Sequence, residues 1–239
     1  MKILNIVGAA SLALAMGANA ALAQTPAKTT YSVHDLTGVW LQTGGGKFGA
    51  YSWTPEYGAV AAKRKADLAA GNPYQPSGPG ACLPRGLVGM VTTGAYPLEI
   101  FQTPAKVVVI KENGGVHRIH LNRKHLAQDD LTPLFFGDSI AHWEGDTLVV
   151  DSISLGATDN LDGQNPHSDA LHVVERYKRT GANTLEIQIT VEDPKALTKP
   201  VVATSLFALQ PDYEMQEYYC INDRNIKDSN GNQIVAGAK

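Results

Sequence analysis

The residues able to do chemistry in this 239-residue chain are histidines, arginines and carboxylates set inside short β-branched runs. Side chains alternate faces along an extended strand, so residues two apart share one side. In Val116–Asn122, Arg118, His120 and Asn122 therefore fall on one face, with His117, Ile119 and Leu121 on the other. In Leu171–Tyr177, His172, Val174 and Arg176 lie opposite Leu171, Val173, Glu175 and Tyr177. His142 alternates with Trp143, and Tyr213, Met215, Glu217 and Tyr219 share a face farther on. Charged groups in strand centres need solvent or partners, because unpaired burial is costly. The expected arrangement is a polar lumen, with the more apolar faces packed outward under other elements.

An imidazole moves protons near neutrality, and a guanidinium grips a carboxylate through two parallel hydrogen bonds. The pattern thus predicts acid–base chemistry without a cofactor. His142 or His172 acts as general acid or base, with Glu175 or Asp169 orienting the imidazole. Arg118 or Arg176 clamps a substrate carboxylate, and His120, Trp143, Tyr177 and Tyr219 complete the pocket wall. Decarboxylation or elimination of a small aromatic carboxylic acid needs only such positioning and proton transfer. Regular alternation sets Glu175 opposite His172, so it can serve only a histidine on another strand unless a bulge intervenes.

Other readings are weaker. An ion-pair ladder would explain Glu175, a tight turn Trp143–Asp146, and backbone capping Ser168 or Asp169. Only His117 and His120 are close in sequence, and they point to opposite faces, so no metal site is expected. Ser168 follows His167 outside any G-x-S-x-G elbow. There is no nucleotide-binding glycine loop, and no cofactor is expected. A non-catalytic carrier of a hydrophobic small molecule, needing the same amphipathic lumen, is the alternative function.

Strands must position these groups. The runs Leu36–Leu41, Glu99–Gln102, Lys106–Glu112, Val116–Asn122, Ile140–Trp143, Thr147–Ser154, Leu171–Arg179, Thr184–Val191, Val202–Leu209 and Glu214–Ile221 are separated by turn signals such as Asn113-Gly114-Gly115 and Glu144-Gly145-Asp146. Their spacing predicts an all-β fold: a single antiparallel, lipocalin-like β-barrel, with a β-sandwich as the alternative. Thr54-Pro55-Glu56 starts one surface helix running to about Ala70. Residues 71–97, with five of the 13 prolines, form a Pro/Gly-rich strap. A net charge of −3 excludes a basic nucleic-acid surface, and 44% hydrophobic against 18% charged residues excludes a disordered chain.

Residues 1–23 read as a secretory signal peptide, cleaved between Ala23 and Gln24, which gives a periplasmic address. Residues 24–224 form the barrel domain and 225–239 a flexible tail. No later run is apolar enough to insert in a membrane. In an oxidising compartment Cys82 and Cys220 would pair as a disulfide. The expected partner is a small molecule.

Three segments, Trp143–Asp151, Pro166–Tyr177 and Glu217–Cys220, resemble signature stretches of a largely uncharacterised family of secreted bacterial proteins. The resemblance covers about residues 36–224. It implies a β-barrel and a periplasmic address, and it brings no catalytic residues with it.

Overall fold

The computed structural model describes residues 31–72, 84–94, 96–156, 161 and 165–218. The expected signal segment, Cys82, Cys220, Tyr219 and the tail lie outside the described residues. Among the described residues nine strands run in chain order: β1 Gly38–Gly45, β2 Leu98–Gln102, β3 Lys106–Lys111, β4 Val116–His120, β5 Asp138–Glu144, β6 Thr147–Ile153, β7 His172–Gly181, β8 Thr184–Glu192 and β9 Val201–Leu209. They close into a barrel in that order, with β1 returning to β9 through pairs such as Trp40↔Leu209 and Gly45↔Ser205.

The odd number has a topological consequence. Antiparallel neighbours reverse direction at each step, so a closed ring of nine strands cannot be antiparallel throughout. Among the nine strands the one parallel pairing is β4 with β5, through Ile119↔Ser139 and His120↔Ile140. A parallel pair requires a crossover, and residues 121–137 supply it, leaving β4 at one end of the barrel and re-entering β5 at the other. The expectation of an all-antiparallel barrel is corrected at this pair. The hairpins elsewhere follow local turn chemistry. Gly145, with φ of 55°, turns the chain between Glu144 and Thr147, as the first position of a two-residue β-turn of this kind demands.

The apolar faces point inward. Leu98, Ile100, Val107, Val109, Ile119, Leu148, Val150, Val173, Ile187 and Phe207 fill the lumen and are almost wholly buried. Burying this area is the main stabilising term of the fold. The polar lumen expected from alternation is therefore inverted. His117 and Ile119 face in, while Arg118 and His120 face out. Alternation had the shared faces right and their direction wrong, because the interior of a small closed barrel packs as a core.

The helix α1, Pro55–Ala69, begins as its sequence predicts, with Thr54 accepting from the Tyr57 amide and Pro55 at the first position. Inside the strap, a second helix was not expected: α2, Gly86–Thr92. Two glycines and two valines in seven residues disfavour a helix, but Gly86 to Val91 are all buried and tertiary packing overrides propensity. α2 plugs the barrel end where β1 finishes. Lys111 donates to the Met90 and Thr93 carbonyls, and Ser205 to the Val91 carbonyl, so orphan groups at the helix end are satisfied. A strand over Glu214–Ile221 is also corrected. Residues 214–218 are not extended in the sheet. The closure of β9 onto β1 leaves no edge for another strand, and Glu112 instead accepts from the Tyr213 hydroxyl and the Gln216 amide.

Candidate functional site

A groove of about 660 Å³ opens at the barrel end where β1 begins, lined by His34, Asp35, Gln102, Asn122, His142 and Trp143 among others. The lead-in before β1 forms one wall. His34 Nε2 lies 2.9 Å from the Gly145 carbonyl, and its ring packs 4.5 Å from that of Trp143. Gln102 donates to the His34 carbonyl and accepts from the Leu36 amide, tying this wall to β2. Asn122 donates to the Pro104 carbonyl, which fixes the opposite wall. The volume is in the range of small-molecule sites.

His142 and Glu144 leave β5 on the same face, two residues apart. The Glu144 carboxylate only accepts, so His142 Nε2 donates to Oε1 at 3.1 Å, while Arg176 Nη2 donates to Oε2 at 2.9 Å. The Arg176 hydrogen bond first, and that of His142 second, hold the Glu144 carboxyl below its ordinary range. With Nε2–H committed, a neutral His142 keeps its basic lone pair on Nδ1. An imidazole oriented by a carboxylate is an acid–base unit. Sequence reasoning missed Glu144, reading it as turn geometry, although the His-x-Glu spacing on a strand was the available signal.

The other predicted residues are distributed over two faces. His172 and Arg176 both point outward from β7, and His172 bonds Asp151 and Glu192, each at 3.1 Å. Arg118 is exposed on the outer face of β4. His120 is half-buried there, and burial first, then Arg123 and Lys106, push its imidazole below the ordinary value. Asp169 pairs with Lys195 at the surface and orients no histidine. Trp143 has the inward parity of β5 and packs against the edge of the core.

Glu175 and Tyr177 lie in the lumen, fully buried. Tyr177 donates to Glu175 Oε1 at 2.8 Å, and Glu175 Oε2 lies 3.7 Å from His117 Nδ1, each of these two atoms lacking a hydrogen-bond partner. His117 Nε2 meets Ser139 Oγ at 2.8 Å, which reaches Ser152 Oγ at 2.7 Å. Burial pushes the Glu175 carboxyl up to about 8 and the His117 imidazole down to about 3, so both are neutral near pH 7. Glu175 therefore faces His117 across the lumen without bonding it, and His142 and His172 lie on the outer face. The three predicted catalytic residues do not converge on one another.

Among the described residues, no group of three or more His, Cys, Asp or Glu side chains is arranged to hold a metal ion. No helix among them is long and apolar enough to cross a membrane. No family model, curated protein or solved structure matches the chain.

Proposed function

We propose that this protein is a periplasmic, cofactor-independent lyase that decarboxylates or eliminates from a small aromatic carboxylic acid by acid–base catalysis. The reading rests on one observation: His142, bonded to Glu144 and through it to Arg176, lines a groove of small-molecule size together with Trp143. His142 Nδ1 takes or returns the proton, and Glu144 stabilises the imidazolium that forms. Trp143 offers apolar area to an aromatic ring. Arg176 is committed to Glu144, so a substrate carboxylate would meet the Asn122 amide and the His34 ring instead. The signal-like N-terminus and the resemblance to secreted bacterial proteins support the address, and N-terminal sequencing of exported protein, starting at Gln24, checks it.

The carrier alternative finds less support, because apolar side chains fill the described lumen. Lipocalin-like carriage would have to use the same groove. Incubation with a panel of hydroxylated aromatic carboxylates distinguishes the two. Turnover should fall by about 100-fold or more in His142→Ala, the usual contribution of a general acid–base. Substrates that bind but remain unchanged favour the carrier, and substrates that do neither exclude both.

A further inference from the structure

Away from the groove, five side chains form a continuous ladder on the outer wall. Asp138 Oδ2 lies 2.8 Å from His125 Nδ1, and His125 Nε2 lies 2.9 Å from Asp151 Oδ1. Asp151 Oδ2 then lies 3.1 Å from His172 Nε2, and His172 Nδ1 the same distance from Glu192 Oε2. An ionised carboxylate can only accept, so each imidazole must donate from both nitrogens. Only the protonated ring has two N–H groups. Charge agrees with this: two imidazoliums and Arg123, which forks onto Asp138, balance the three carboxylates. Neutral rings would turn lone pairs toward anionic oxygens.

The ladder joins two parts of the fold. Arg123, His125 and Leu126, whose amide donates to Asp138 at 3.1 Å, belong to the crossover between β4 and β5. Asp138, Asp151, His172 and Glu192 belong to β5, β6, β7 and β8. Leu121 and Phe136 anchor the two ends of the crossover on the core, but apolar anchoring between them is weak, with Leu126 47% exposed. We propose that the ladder is a proton-operated latch, which docks residues 123–131 on the barrel wall while both rings donate from both nitrogens and releases them as pH rises.

The facing groups set the direction. His125 meets Asp138 from β5 and Asp151 from β6, and His172 meets Asp151 from β6 and Glu192 from β8. His120, at the end of β4, also feels Asp138 and Arg123, while Lys124, Asp129 and Asp130 of the crossover are exposed. Burial alone would lower the His172 imidazole, but hydrogen bonds to Glu192 and Asp151, with their charges, outweigh it and raise it above 6.5. A raised folded value means the His172 bridge from Asp151 to Glu192 is fully favoured below 6.5 and is lost as pH rises through that raised value, and docking follows through Asp151, which His172 shares with His125. The crossover starts at Leu121 and Asn122, which line the groove. The latch would thus adjust that wall, a consequence that depends on the groove being the site, whereas the latch itself does not.

Amide hydrogen exchange on the whole protein, expressed as protection factors at about pH 5.5 and about pH 8.5, tests this on either side of the imidazole range. In Glu175→Gln, whose lumen carboxyl cannot ionise, protection of the Leu126 amide should drop by about tenfold or more at the higher pH, the effect of one pKa unit, and by more than that of β8 amides. His172→Gln should lower Leu126 protection already at the lower pH and flatten its pH dependence. Unchanged Leu126 protection overturns the latch. So does an equal loss in β8, which would be global loosening, or a neutral His172 ring at the lower pH in imidazole nitrogen NMR.

Discussion

His142 is useful because of what lies two residues along the same strand. Glu144 fixes which nitrogen carries the proton, and Arg176 fixes Glu144. Glu144→Gln should therefore lower kcat more than it raises KM, since it disturbs the imidazolium and not substrate contacts. Steady-state kinetics on a turned-over substrate check this, and a pure KM effect would make Glu144 a binding residue. Glu175 is the opposite case, a carboxyl whose chemistry is suppressed by burial. Glu175→Gln keeps an acceptor for Tyr177 and gives an amide donor to the unpartnered Nδ1 of His117. The variant should be more stable than the parent at pH 8 in urea denaturation, because it cannot ionise in the lumen. Lower stability there would mean that the barrel uses the ionised form. Of these residues, His142 and Trp143 were legible as site candidates. Glu144 was hidden by its second role at a hairpin turn, and Glu175 was misplaced because alternation defines a pair of faces but not which one is inside.

At the scale of elements, strands and most turns were legible, since β-branched runs and Gly/Asn/Asp turns are local signals. The crossover and α2 were not, because both exist through long-range constraints: the parity of the closed ring, and the open barrel end that α2 fills. Lys111 links α2 to the barrel from the end of β3. Burial pushes its ammonium down to about 8, yet it remains charged at neutral pH and holds two helix carbonyls. Lys111→Met preserves the stem and removes both donors. It should cost about 1–3 kcal/mol, the penalty for leaving buried carbonyls unsatisfied, measurable as a lower midpoint in urea. A neutral effect would show that α2 is held by apolar packing alone.

For the whole molecule, the buried pair predicts a pH profile of stability. The unfolded chain loses the Glu175 proton near 4.5, whereas the folded barrel keeps it to about 8. Stability therefore falls with rising pH across that window, by at most about 1.4 kcal/mol per unit. His117 acts in the opposite sense. Its folded value of about 3 lies below the ordinary 6.5, so stability falls as pH drops from 6.5 toward 3. The two slopes cancel between 4.5 and 6.5, which predicts a plateau there and a decline above it, where His172 adds to the loss. Urea titrations across this range should show that plateau, and a maximum above pH 8 would contradict it.

The inverted barrel moves the proposed site from the lumen to the groove at its end, and the indole signals of the chain's three tryptophans can locate the ligand directly. Trp143 lines the groove, whereas Trp40 is buried and donates to the Leu36 carbonyl. In a nitrogen–proton NMR titration with an aromatic carboxylate, the Trp143 signal should shift and saturate while that of Trp40 stays in place. A saturating shift of Trp40 with Trp143 unmoved would put the ligand in the lumen and contradict the groove as the site.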